Sequence, residues 1–240
     1  MRGDIVWQDA KLVNTFLSGV RGAIPFASEQ INLVLTLLDH TGRPMTHLAD
    51  LGCGDGVLTQ ALLVRYPQAQ VTALDFSAPM LEQAKQRLHP FGDRVQLIQA
   101  DLYTPDWQTH LQPFDAIISG YCIHHLPDDR KRMLYQEIYH QLSPGGGFFN
   151  IEHVASATPW GEHLFNEVLT DCIHQWQQSQ GQALSRQEVA EQFVHRPDKQ
   201  ANILASVEAQ CQWLREIGFE RVDCYFKFLE LAVFGGIRPS

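Results

Sequence analysis

The sequence predicts an α/β protein: a doubly wound, mostly parallel sheet with helices on both faces and an antiparallel hairpin at one edge. Three observations predict it. Short apolar runs near residues 47–51, 71–75, 95–99, 114–119 and 147–152 alternate with helical patterns near 57–66, 78–88 and 129–142, the rhythm of parallel strands joined by crossover helices. The first run, Leu48-Ala49-Asp50-Leu51, enters Gly52-Cys53-Gly54-Asp55-Gly56, whose glycines permit a tight strand-to-helix turn and close approach of a ligand to the backbone. The length of 240 residues, with 45% hydrophobic and 19% charged residues, suits one globular domain carrying a modest insertion.

Taken in order, residues 1–45 read as an N-terminal helical cap. A helix spans Asp9 to Leu17, Gly19 to Pro25 breaks it, and a second runs to Leu38 from Ser28 as N-cap, with Ile31, Leu35 and Leu38 on one face. Residues 46–154 hold the alternating core. Residues 155–204 form a helical insertion: Leu164, Val168, Cys172 and Leu169, Ile173, Trp176 recur at helical spacing, and Ser185 with Glu188 makes a capping box for a helix to Val194. Residues 205–240 supply a final helix, Ala205 to Ile217, ended by Gly218, and then strands Val222 to Phe226 and Leu229 to Phe234. That hairpin brings the sheet to seven strands.

Composition narrows the function. A formal net charge of -9 opposes a broad nucleic-acid surface, which needs clustered Lys and Arg. The five cysteines are scattered without a C-x-x-C pair, which predicts reduced thiols and a cytoplasmic protein. No signal-peptide core and no run of roughly 18 apolar residues is present, so no membrane span is expected. No Cys/His set has zinc-ligand spacing, so no metal is expected either. Monomer and homodimer both remain open.

The glycine spacing departs from the dinucleotide pattern G-x-G-x-x-G, because the third glycine comes one residue early. Asp50, two residues before the first glycine, suits a cationic ligand better than a phosphate. Histidine is abundant, with 11 residues. His124 and His125 follow the fourth strand, and Glu152-His153 ends the fifth. Histidine takes a proton near neutral pH, which makes His153 the leading general-base candidate; His124 and Tyr121 are the further catalytic candidates. Each has a plain alternative as a structural polar group.

The string Leu48 to Gly56 closely resembles motif I of the class I S-adenosylmethionine-dependent methyltransferases. Val71 to Asp75, Gln99-Ala100-Asp101-Leu102, Phe114 to Ser119 and Leu142-Ser143-Pro144-Gly145-Gly146 resemble that family's later motifs, in its order. The resemblance implies a Rossmann-like fold and a reaction passing a methyl group from S-adenosylmethionine to an O or N atom of a small-molecule acceptor, leaving S-adenosylhomocysteine. It implies Gly52 and Gly54 at the methionine moiety, Asp50 toward its amino end, and Asp75 on both ribose hydroxyls. It places Phe76 and Met80 beside the adenine or ribose, Asp101 on the adenine amino group, Leu102 on the ring, and Ser119 and Gly120 near the sulfonium. Arg21, Trp7 and Trp160 are then candidates for acceptor binding. Trp7, Phe16 and Phe26 form a lid, or simply pack helix on sheet.

Outside the core, Phe16 to Pro25, Asn202-Ile203-Leu204, Ser206-Val207-Glu208 and Gly218-Phe219 resemble the carboxy-S-adenosylmethionine synthases of tRNA wobble-uridine modification. Those enzymes share the fold but make a carboxylated cofactor, which needs a cation near the added carboxylate. Arg196 and Lys199 are the nearest candidates. A cofactor-binding partner protein without turnover is the third reading.

Overall fold

The computed structural model describes residues 2–194, 199 and 202–240, leaving aside the side chain of Arg21. Its sheet has seven strands: β1 His47–Leu51, β2 Gln70–Asp75, β3 Val95–Gln99, β4 Phe114–Gly120, β5 Leu142–His153, β6 Glu220–Phe228 and β7 Leu231–Ile237. They lie in the order β3-β2-β1-β4-β5-β7-β6. The first five are parallel, while β7 runs antiparallel between β5 and β6. The strand order reverses between β1 and β4, where a crevice opens at the strands' C-terminal ends.

Helices cover both faces, as the apolar strands require. On one face, α2 (Ala27–Asp39), α3 (Val57–Arg65) and α4 (Ala78–Leu88) pack Val34, Leu38, Leu62, Ala84 and Leu88 against Ile118 and Phe149. On the other, α5 (Asp128–Gln141) and α8 (Val207–Ile217) pack Leu134, Ile138 and Leu214 against Ile117 and Phe148. A third, smaller core lies above the crevice. There Val20 and Ala23, which follow α1 (Ala10–Gly19), meet Ile173 of α6 (Pro159–Ser179) and Val189 of α7 (Arg186–Val189), with Phe193 beyond it. The contact is close: a Cβ on Gly19 would stand 2.3 Å from the Phe193 ring, and one on Gly22 2.5 Å from Trp176. The cap and the insertion are therefore one packed unit.

Local signals hold with adjustments. Asp9 caps α1 by accepting from Lys11 N–H, Ser185 and Glu188 form the capping box of α7, and Ser206 caps α8. Ser28 does not cap α2. The helix begins at Ala27 behind a left-handed Phe26, and the Ser28 hydroxyl donates to Glu29 Oε2 at 2.9 Å. The stretch Leu142 to Gly146, which lies ahead of the strand expected at 147–152, already belongs to β5, with a register shift where it meets β4.

Candidate active site

β1 ends at the centre of the sheet, and its glycine turn is pinned to β2. Gly52 and Cys53 N–H groups donate to the Leu74 carbonyl at 2.8 and 2.9 Å. Gly52 has φ +72°, and a Cβ there would lie 2.1 Å from Cys122 Sγ, so both conformation and space exclude a side chain. At Gly54 an added Cβ would meet nothing within 4 Å, because it would project into the open crevice. Gly54 N–H donates to Asp75 Oδ2 and Ser77 N–H to Asp75 Oδ1, both at 2.7 Å. The carboxylate is thus fixed, and each oxygen keeps accepting capacity for a ligand hydroxyl. Burial lifts the Asp75 carboxyl to about 6, against the N–H bonds that hold it down. Asp50 is fully buried and accepts from Thr59 Oγ1 at 2.6 Å.

Phe76, Met80, Asp101 and Leu102 gather at the next stretch of the same cavity. Asp101 lines the cavity as expected of a ligand contact, but it is already paired. Both its oxygens accept from the Arg2 guanidinium, which also bonds Asp4 at 2.7 and 2.8 Å. That guanidinium lies 3.9 Å from the Tyr103 ring centre and 4.7 Å from that of Phe76. Burial works against the Asp101 charge, but Arg2 and the Tyr103 N–H outweigh it and hold the carboxyl below its ordinary range. Gly120 lines the cavity, but Ser119 does not: its fully buried hydroxyl donates to the Leu51 carbonyl at 2.7 Å. In β4 that side chain serves the join to β1.

At the far end stand two histidines, each tied to a buried glutamate. His124 Nδ1 lies 2.6 Å from Glu152 Oε1, and His153 Nε2 lies 2.8 Å from Glu230 Oε2. Glu152 also accepts from the backbone N–H of His124 at 3.0 Å and of His153 at 2.8 Å. Burial pushes the Glu152 carboxyl up to about 7 and the His124 imidazole well below its ordinary value. The N–H donors aimed at Glu152 favour a carboxylate there, facing a neutral His124 that carries its proton on Nδ1. His124 Nε2 and His153 Nδ1 have no hydrogen-bond partner among the described residues, and both histidines line the cavity. Tyr121 lines it too, with a left-handed backbone and a hydroxyl that donates to Gln30 Oε1 at 2.8 Å.

The cavity measures about 540 Å³, and Trp7, Phe16, Phe165, Leu169 and Phe193 are among the residues that line it. Trp7 and Phe16 thus face the cavity. Phe26 does not, since it stacks on Phe226 and Phe228 at the sheet edge, with ring centres 5.9 and 4.9 Å apart. Trp160 is 72% exposed at the start of α6 and is absent from the cavity wall. Lys199 reaches the cavity and donates to Asn166 Oδ1 at 2.8 Å. Arg196 and the Arg21 side chain lie outside the described residues. Among the described residues, no group of three His, Cys, Asp or Glu is placed to hold a metal ion, and no helix is long and apolar enough to cross a membrane. Arg2 and Glu230 escaped sequence reading. A lone acid between two leucines, in Leu229-Glu230-Leu231, was the available signal for the second.

Residues 48–146 match a family model described as a methyltransferase domain. The carboxy-S-adenosyl-L-methionine synthase of Aeromonas hydrophila is 25% identical over 239 residues, covering 97% of this chain and 90% of that protein. The synthase of Chromohalobacter salexigens is 25% identical over 231 residues, covering 93% and 80%. Among solved structures, human N-acetylserotonin methyltransferase in complex with SAM superposes with a TM-score of 0.64 at 18% identity, over all of this chain and 59% of that one. The methyltransferase SibL superposes with a TM-score of 0.61 at 21% identity, over 90% and 56%. The chain thus spans less than two thirds of those solved chains, and the fold it shares with them is the class I methyltransferase fold.

Proposed function

We propose, from the premise of a methyltransferase domain on this fold, that the chain passes a methyl group from S-adenosylmethionine to an oxygen or nitrogen of a small-molecule acceptor. One observation carries the reading. A continuous cavity joins the Gly52–Gly54 turn and Asp75 to Gly120, Tyr121, His124 and His153, so donor and acceptor ends share one space. The residues suit the donor: a fixed carboxylate at a strand end for a ribose diol, an open glycine for the methionine chain, and Asp50 on the ammonium side. Phe76, Met80 and Leu102 flank the adenine, and Asp101 reaches its amino edge once Arg2 gives way. When bound, the donor supplies a methyl group already activated on a sulfonium. The chain's own part is to hold the nucleophile in line, exclude water with the aromatic lining, and take the acceptor's proton on an imidazole.

Calorimetric titration with S-adenosylhomocysteine tests the placement. One site is expected, weakened at least about tenfold in Asp75→Ala, because hydrogen bonds to a charged group are worth about 1.5–3 kcal/mol. Unchanged affinity in the variant removes Asp75 and the donor placement with it.

A second reading is favoured by the nearly full-length similarity to carboxy-S-adenosyl-L-methionine synthases and by Lys199 on the cavity wall. Incubation with S-adenosylmethionine and prephenate, the co-substrate that the synthase resemblance implies, separates the two. A nucleoside product heavier by one carboxylate supports synthesis, and an unchanged donor supports transfer to an acceptor.

A further inference from the structure

A thread of buried polar side chains crosses the core between α8 and the cavity. Gln210 of α8, Tyr135 of α5, and Asn150 and Glu152 of β5 are at most 1% exposed, in a layer otherwise filled by Leu134, Ile138, Phe148 and Leu214. Polar side chains in such a layer need partners, and these have them in series. Gln210 Nε2 donates to the Ala205 carbonyl at 3.2 Å, and Tyr135 Oη donates to Gln210 Oε1 at 2.6 Å. The Asn150 amide hydrogen-bonds the Tyr135 hydroxyl, and its Nδ2 lies 3.4 Å from Glu152 Oε2. Glu152 Oε1 then meets His124 Nδ1 at 2.6 Å.

The direction of each bond in the thread follows from the first. A backbone carbonyl only accepts, so Gln210 turns its NH2 to Ala205 and its oxygen to Tyr135. The tyrosine proton is thereby given to Gln210, which leaves the phenolic oxygen to accept from Asn150. The Asn150 amide therefore turns its nitrogen toward Tyr135 and Glu152. Its Oδ1 is buried without a partner among the described residues, so this orientation is held at a cost. The opposite orientation would set an amide oxygen against the Glu152 carboxylate. Ala205, the anchor, lies where the chain returns from the insertion, and its carbonyl also accepts from Ala155 N–H at 3.0 Å.

We infer that Gln210, Tyr135 and Asn150 are positioning residues that keep Glu152 a carboxylate and so fix the His124 proton on Nδ1, leaving Nε2 as the proton acceptor. The use of that tautomer rests on the transferase reading; the orientation of the thread does not. The titratable groups facing Glu152 are His124 and His125 of the turn after β4, Cys122 before them, His153 beside it on β5, and Tyr135 of α5, with Lys131 of α5 facing His124.

The test is an NMR titration of the full chain with isotope-labelled glutamate and histidine, read at the glutamate carboxyl carbons and the histidine ring nitrogens. Glu152→Gln and His124→Gln assign the two signals. Tyr135→Phe, which keeps the ring, and Gln210→Met, which keeps the length, each cut the thread without touching Glu152. Each is expected to raise the pH at which Glu152 gains a proton by about one pH unit, the effect of one lost hydrogen bond to a charged group. Between the old and new midpoints the His124 proton is expected on Nε2, because a protonated Glu152 donates to Nδ1. Ile138→Val, an apolar change on the same helix, is expected to move neither reading. An unchanged Glu152 midpoint in either cut variant, or an equal rise in Ile138→Val, overturns the inference; should one cut variant fail to fold, the other decides. Neither reading uses S-adenosylmethionine, so failure of S-adenosylhomocysteine to bind overturns the transferase reading alone.

Discussion

Asp75 shows how one residue serves both the fold and the site. Its carboxylate holds the glycine turn through Gly54 N–H and the start of α4 through Ser77 N–H. Burial raises its pKa from 3.8 to about 6, so between those values the folded chain keeps a proton that the unfolded chain has lost. Its contribution to stability therefore falls as pH rises through that window, by about 3 kcal/mol. Ligand binding runs the other way, since the ionised carboxylate is the better acceptor for ribose hydroxyls. Affinity for S-adenosylhomocysteine, measured by calorimetry from pH 5 to 8, is expected to rise through about pH 6 and level off above it. In Asp75→Asn that rise is expected to disappear. Asp75 was legible in the sequence because an acid closing an apolar strand stands where a ligand crevice opens in this fold. Arg2 was not, because nothing local marks a contact that spans 99 residues to Asp101.

At the scale of elements, the β1–α3 turn and the N-terminal segment set access to the donor end. Gly52→Ala must place a side chain at φ +72° and against Cys122 Sγ. A cost of about 2 kcal/mol or more is expected in chemical denaturation, with loss of S-adenosylhomocysteine binding. The segment Gly3–Gln8 lies beside Phe76 and Ser77, at the proposed adenine end, tied down by Ser77 Oγ donating to the Trp7 carbonyl and by Gln8 Nε2 donating to that of Phe76. Its Arg2 takes the same carboxylate and the same aromatic faces that suit a purine. Arg2→Ala is therefore expected to tighten S-adenosylhomocysteine binding by about fivefold, the scale of a partly exposed ion pair of about 1 kcal/mol. Weaker binding would show instead that Arg2 helps to hold the nucleotide. The strands were readable from apolar runs, but how side chains divide between core and cavity was not. Ser119 turned toward Leu51, and Trp160 turned out to solvent, because register and helix phase decide those directions.

Across the whole molecule, the sheet positions the proposed donor half of the site, and a separate small core contributes Val20 and Phe193 to the same cavity. Val20, Ala23, Ile173, Val189 and Phe193 join the N-terminal cap to the insertion, which are far apart in sequence. Phe193→Ala removes a ring packed against Gly19, and deletions of this kind cost about 3–5 kcal/mol in a well-packed site. Amide exchange is expected to speed up together in α6 and in residues 19–23, while β1 and β4 keep their protection. Faster exchange in α6 alone would contradict a shared unit. The glycines at 19 and 22 were read in the sequence only as a break between helices. Their second role, close approach to Phe193 and Trp176, depends on a partner that no local pattern reveals. The central claim is that this cavity binds S-adenosylmethionine as a methyl donor. The most direct test is the mass of the small molecule released on denaturing the purified protein after incubation with S-adenosylmethionine and desalting. S-adenosylmethionine or S-adenosylhomocysteine is the predicted result; a species heavier by one carboxylate, or no nucleoside at all, would contradict it.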